Sequence, residues 1–476
     1  MSTNGLSADG YVGAVLSDGT PVTSLIDVER REVSLRLFSD PEVYRAEQQF
    51  LFGRCWNIVG HESEIPDAGD FVRRRIADDS VIVSRDREGG INVMLNLCTH
   101  RGMQVCRSEA GSSQNFKCPY HGWVFGSDGA LVGAPFEREM YGGKLDKPNL
   151  GLRKARVSTY AGIIWANWDD GAPPLEDFLG GYTWYLDTIF NRSLNGLECV
   201  GAPQRSIIQA NWKAPSEQFN GADGYHVATL HRTLIERIAP PDAPASMIQE
   251  MVRGVMFGID IGSRLGHGLR TISRQVGVRP GLTQDENIAY EATLSAMESL
   301  TQNPPEGMPP EMVPELFQKL TPGQIHAMLT SPPNPGGMFP NVGFLHQNLR
   351  VHVPTGVDTF EMLNFVLVEK DAPKEFKERI KKDMLLGFGT SGTVEQDDAE
   401  SWPSIQKSAT GFQGSKEKMR YQAFVGHNPP EGWDGPEEVY EGFSKDDSAW
   451  NFWLRYRDYL TGESLELEEP GNRTTA

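Results

Sequence analysis

Cys98, His100, Cys118 and His121 form the most chemically specific constellation in the chain: Cys98-Thr-His100, seventeen residues, then Cys118-Pro-Tyr-His121-Gly-Trp123. A C-x-H followed by a C-x-x-H presents one thiolate and one imidazole from each of two loops. Such a set suits a [2Fe–2S] cluster in which two histidines replace two cysteines on one iron, an exchange that raises the reduction potential well above that of an all-cysteine cluster. Gly102, Gly122 and Pro119 fit tight loops whose backbone N–H groups can approach the cluster sulfurs. Zinc accepts the same donor types, but zinc modules favour C-x2–4-C and H-x3–5-H pairs over alternating Cys-His pairs on Gly-rich loops. Cys55 and Cys106 fall outside the pattern and read as buried structural thiols.

A second group lies in NWKAPSEQFNGADGYHVATLH, residues 211–231, with Asp223, His226 and His231. Asp223 is one helical turn before His226 and shares its face. His226 and His231 are five apart, so both imidazoles reach one metal only if the helix loosens between them. Taken alone, such a pair is as readily a satisfied core or surface pair. With a one-electron centre in the same chain, two histidines and a carboxylate on an open-sited Fe(II) become the fitting destination for the electrons, since that set binds O2. The acidic run Val394-Glu395-Gln396-Asp397-Asp398 is the leading source of the carboxylate, although a charge run is usually a solvated face. Gly387-Phe-Gly389-Thr-Ser-Gly392 satisfies G-x-G-x-x-G but follows the helix-like KEFKERIKKDMLL instead of a strand, so the dinucleotide-binding context is absent.

The elements that must carry these residues change texture along the chain. Residues 1–50 combine a loose start with the helix-like DPEVYRAEQQFLFGR and form an N-terminal segment expected to pack with the catalytic domain. Residues 51–168 hold short β-type runs (FVRRRI, SVIVSRD, INVMLNL, AGIIWANW) between Gly, Asp and Pro turn signals, an all-β module. Residues 169–476 alternate longer helical stretches with strands such as LRVHVPT and FEMLNFVLVE, the mark of a larger α+β domain on an antiparallel sheet. The Pro-rich stretch 303–337 reads as an irregular excursion or cover, and the acidic tail ESLELEEPGNRTTA as frayed. A formal net charge of −19 argues against nucleic acid and anionic membranes. No apolar run approaches the roughly 20 residues that span a bilayer, and the first residues lack the features of a secretory signal, which points to the cytoplasm.

The two motifs, their order and their separation resemble the large (alpha) subunit of Rieske non-haem iron aromatic-ring-hydroxylating dioxygenases of the naphthalene dioxygenase type, over most of residues 40–460. The resemblance implies a Rieske [2Fe–2S] domain followed by a helix-grip-type catalytic domain. It makes His226, His231 and Asp398 ligands of a mononuclear Fe(II), with Asp397 the less favoured of the pair. Asp223 becomes the bridging carboxylate between His226 and, across a subunit interface, a cluster-ligating histidine at position 121. Phe388 and Val394, and less directly Val227 and Leu230, match pocket positions. One residue more than the family pattern between Glu217 and Asp223 leaves Gln218 and Asn220 ambiguous.

The same resemblance implies electrons from NAD(P)H through a separate reductase, commonly with a ferredoxin, O2 as co-substrate, a small (beta) subunit and a head-to-tail trimer. The expected reaction inserts both atoms of O2 into an aromatic, polycyclic-hydrocarbon-type ring to give a cis-dihydrodiol. A phthalate-type carboxylate dioxygenase and a Rieske monooxygenase or demethylase share every ligand and stay open as alternatives. An electron-transfer Rieske protein without oxygen chemistry leaves the 300 or so residues after the cluster module unexplained.

Overall fold

A computed structural model describes residues 13–461 apart from 233–234, 237–238, 273–296, 298–299, 303, 306, 331–332, 346–347 and 390. The acidic tail lies outside the described residues. Helix α1 (Pro41–Ala46) opens the N-terminal segment, with Pro41 in its first turn and the Asp40 side chain capping the Glu42 amide. It widens into a turn of π-helix at Glu47–Phe52. The buried Glu47 carboxylate accepts from Trp212, Lys213 and Tyr456, which ties this segment to the catalytic half.

The β-module contains ten strands: β1 (Asn57–His61), β2 (Asp70–Ile76), β3 (Asp79–Arg85), β4 (Ile91–Leu95), β5 (Ala110–Ser112), β6 (Asn115–Lys117), β7 (Val124–Gly126), β8 (Leu131–Gly133), β9 (Arg156–Tyr160) and β10 (Ile163–Asn167). They form antiparallel sheets of order β9-β10-β1, β4-β3-β2-β5 and β8-β7-β6. β2 and β3 coincide with the predicted runs FVRRRI and SVIVSRD, where β-branched side chains fill a pleated, half-buried surface.

The larger half is built on nine strands: β11 (Leu197–Cys199), β12 (Gln204–Ile208), β13 (Phe257–Gly262), β14 (Gly268–Ile272), β15 (Pro333–Met338), β16 (Val342–Leu345), β17 (Asn348–Gly356), β18 (Thr359–Glu369) and β19 (Glu438–Phe443). Their order is β11-β18-β17-β16-β15-β14-β13-β19, with β12 also paired to β18, and every pairing is antiparallel. The sheet carries helices α2 (Lys213–Asn220), α3 (Tyr225–Thr229), α4 (Lys374–Phe388), α5 (Glu395–Thr410) and α6 (Asp447–Leu460). This is the mixed fold class expected from the sequence.

One apolar core runs from Phe38 and Phe50 through Val81 and Trp165 of the β-module to Trp212, Leu363 and Trp453, so the two halves share an interior. A second core lies under the loops bearing Cys98 and Cys118. A third joins Met308, Val313 and Leu316 to Met384 and Phe388. This third core corrects the reading of 303–337 as an irregular excursion. Val313–Lys319 and Pro322–Thr330 are helices, and Pro333–Met338 is a sheet strand. Pro314 and Pro322 stand in the first turns of these helices, where a missing N–H removes no helical bond, and Pro333 and Pro335 lie in the strand.

Candidate metal centres

The two cluster loops are built alike. The Cys98 amide donates to the Met103 carbonyl (2.8 Å) and the Gly102 amide to the Cys98 carbonyl (2.8 Å). In the second loop the Cys118 amide donates to Trp123 (2.7 Å) and the Gly122 amide to Cys118 (3.0 Å). Gly102 and Gly122 sit at φ +74° and +73°, the left-handed region that glycine enters without penalty. At Gly122 a Cβ would also stand 2.8 Å from Pro135.

The loops bring thiol to thiol and imidazole to imidazole. Cys98 and Cys118 are both buried, and burial, together with the neighbouring Cys118, pushes the Cys98 thiol pKa up. The His100 and His121 rings lie 4.7 Å apart, and His100 stacks on Trp123 at 4.8 Å. Partial burial, and next the neighbouring His121, hold His100 below the usual imidazole range, in the neutral form that binds metal. His100 Nδ1 is buried without a hydrogen-bond partner. Two sulfurs on one side and two imidazoles on the other fit a cluster with one iron held by two cysteines and the other by two histidines.

The second centre draws on three helices. α2 ends at Asn220, and Ala222 at φ +54° turns the chain so that Asp223 caps the next helix, its Oδ1 accepting from the Tyr225 amide at 2.8 Å. α3 then loosens where the five-residue spacing requires it. The His226 carbonyl accepts from both Leu230 (2.6 Å) and His231 (3.4 Å), and the chain turns at 230–231. The rings stand 5.3 Å apart and nearly perpendicular.

Ligand atoms of His226, His231 and Asp398 all lie within 4.8 Å of one another, and Asp398 enters from the first turn of α5. Behind each imidazole is a carboxylate: Asp223 Oδ2 is 3.1 Å from His226 Nδ1, and Asp397 Oδ2 is 3.1 Å from His231 Nδ1. Both Nε2 atoms therefore point inward, a carboxylate–histidine arrangement that fixes tautomer and ring orientation at metal sites. Gln218 reaches between them, its Nε2 3.2 Å from His226 Nε2 and 3.3 Å from Asp398 Oδ1, while its Oε1 accepts from Trp402 (2.9 Å).

The electrostatics favour positive charge at this point. Burial alone would raise Asp398, but His231, His226 and Arg350 together hold it below the ordinary carboxylate range. For His231 burial is outweighed by Asp398 and Asp397, and its pKa is raised. The donor set and charge suit a divalent iron with open positions. Among the predicted pocket residues, Phe388 is buried in the third core with Val394 packed against it. Val227 and Leu230, half-buried on and just after α3, stand outside that cluster. The glycine motif at 387–392 begins in the last turn of α4 and leads towards α5, not out of a strand.

A [2Fe–2S] β-module joined to an antiparallel-sheet domain with a two-histidine, one-carboxylate centre defines a non-haem iron oxygenase. Family models agree: a Rieske [2Fe-2S] domain matches residues 55–157, and the catalytic domain of the ring-hydroxylating alpha subunit matches residues 175–429. The chain belongs to the ring-hydroxylating alpha-subunit family, a family of oxidoreductases.

It is 33% identical to the biphenyl dioxygenase alpha subunit of Paraburkholderia xenovorans (strain LB400), covering 91% of this chain and 92% of that protein. It is also 33% identical to the N,N-dimethyl phenylurea N-demethylase alpha subunit of Sphingobium sp. (strain YBL2), covering 90% and 91%. A solved naphthalene 1,2-dioxygenase from Rhodococcus sp., bound to indole, superposes with a TM-score of 0.77 at 38% identity, covering 91% of this chain and 95% of that one. No helix among the described residues is long and apolar enough to cross a membrane.

Proposed function

We propose that His226, His231 and Asp398 hold one Fe(II), that Cys98, His100, Cys118 and His121 hold the Rieske cluster, and that the chain dihydroxylates a neutral aromatic ring. The observation that carries this reading is the convergence of the three ligand atoms within 4.8 Å, with a carboxylate behind each histidine. When bound, the iron supplies the binding and activation of O2. Asp223 and Asp397 hold the imidazoles with Nε2 inward. Gln218, anchored by Trp402, lies between His226 and Asp398, and Phe388 and Val394 give the substrate an apolar wall.

The balance is one aromatic ring, one O2, two electrons and two protons to one cis-dihydrodiol. The electrons come from NAD(P)H through a separate reductase and a ferredoxin, as befits relatives described as the large component of a multicomponent system. In a head-to-tail trimer, Asp223 would link His226 to His121 of the partner subunit, with a small subunit completing the assembly. Its carboxylate side chain, 38% exposed, is open to such a contact.

Arg350 supports a neutral substrate. This buried cation, 4.9 Å from the Phe388 ring, is already neutralised by Glu395 at 2.9 Å. A substrate carboxylate entering an apolar site needs a cation of its own. The test is turnover of the purified chain, with its small subunit and a surrogate ferredoxin and reductase, on phenanthrene and phthalate under 18O2. Doubly labelled dihydrodiol from phenanthrene is expected. Turnover of phthalate alone would overturn the neutral-substrate reading, and singly labelled or dealkylated products would overturn dihydroxylation.

A further inference from the structure

Arg350 and Glu395, so far only a neutralised pair beside the pocket, are almost entirely removed from water, each about 1% exposed. Taking two charges out of water is costly, and an apolar pair of the same volume is often no less stable. Stability is therefore a poor explanation for such a pair, and its position is a better one. Glu395 is the first residue of α5, and Asp398 follows one turn later. Arg350 lies on β17, opposite Asn364 of β18, and its Nε donates to Asn348 Oδ1 (3.1 Å). The Asn364 side-chain amide in turn donates to the carbonyl of Phe388, the last residue of α4 (2.8 Å). The guanidinium also covers the Phe388 ring at 4.9 Å and, on its other contact, Phe219 at 5.3 Å, the residue after Gln218.

We propose that Arg350, acting through Glu395, is a positioning residue of the iron site, pinning the first turn of α5 and the end of α4 to the sheet so that Asp398 and Phe388 keep a fixed relation. A planar guanidinium suits this task because it forks to polar partners in its plane while stacking on aromatic rings, which an ammonium cannot do. The inference rests on the reading of Asp398 as an iron ligand.

The test uses the assembled oxygenase carrying R350M/E395Q, which removes both charges together and leaves neither buried alone, and R350K, which keeps the charge but not the fork. Three quantities are read besides turnover: Fe(II) affinity on reconstitution of iron-depleted protein, the electron paramagnetic resonance line shape of the ferrous nitrosyl, and the ratio of product regioisomers. For R350M/E395Q the expected result is about tenfold weaker Fe(II) binding, a changed nitrosyl line shape and a shifted isomer ratio, with an unchanged cluster signal. R350K should fall between that variant and wild type. Wild-type iron affinity, line shape and isomer ratio in R350M/E395Q would overturn the proposal. Should that variant fail to fold, a wild-type nitrosyl line shape and isomer ratio in R350K would do the same. D398A separates the two readings: if it retains iron, the ligand assignment fails, whatever Arg350 does.

Discussion

Each imidazole of the His226–His231 pair is steered by a carboxylate of its own, and the two differ in what their loss should do. Asp397 lies behind His231, 3.1 Å from its Nδ1, so D397N should weaken Fe(II) binding roughly 10–100-fold while the cluster spectrum stays unchanged. Metal analysis after dialysis checks this. Asp223 faces the surface as well as His226, so D223N should retain both metals and lose nearly all turnover; full activity would remove it from the electron path. The candidate cluster residues stood out because their spacing is local, four residues on two turns of like build. Asp397 was not legible as an orienting group, since its partner lies 166 positions away and its sequence context is an ordinary acidic run. Gln218 stayed ambiguous for a related reason: an extra residue beside it obscures the register, and only the fold shows it between His226 and Asp398.

At the level of elements, the five-residue histidine spacing demands a loosened helix, and α3 loosens at 230–231. The predicted strands of the β-module and the helices at 41–52 and 374–388 also stand where their patterns put them. Proline density misled at 303–337, because proline at a helix start and proline in a loop look alike until partners for the rest of the backbone are known. The N-terminal segment packs with the catalytic half as its sequence position suggested, but the contact that fastens it was not legible. Its Glu47 meets Lys213, the first residue of α2, in a fully buried pair. Burial pulls the Lys213 pKa down, and Glu47 opposes that pull. K213M leaves Glu47 buried without a cation and should cost roughly 3–5 kcal/mol, measured by denaturant unfolding. E47Q/K213M, which removes both charges, should recover most of that loss.

Across the whole molecule, two domains and their chemistry could be read from texture and motifs, whereas the sheet order could not. β13 pairs with β19 across more than 170 residues of sequence, and no local pattern encodes such a partner. The same long-range burial makes the fold sensitive to acid. His61, His267 and His352 lie in the interior, and burial pushes their pKa values down to about 4, 4 and 3. These groups are depressed on folding. Their stabilisation is present above the unfolded value near 6.5 and is lost as pH falls through that value towards 4, at about 1.4 kcal/mol per histidine per pH unit. Thermal unfolding at pH 7.5, 6.0 and 5.0 should show a falling midpoint, with a shallower fall in H267Q.

The most direct measurement is resonance spectroscopy and iron analysis of the assembled oxygenase with and without D398A. Wild type should show a Rieske signal when reduced and a separate ferrous nitrosyl signal, with three irons per chain; D398A should keep the first and lose the second, with two irons remaining. A D398A protein that retains all three irons and the nitrosyl signal would contradict an iron held by His226, His231 and Asp398.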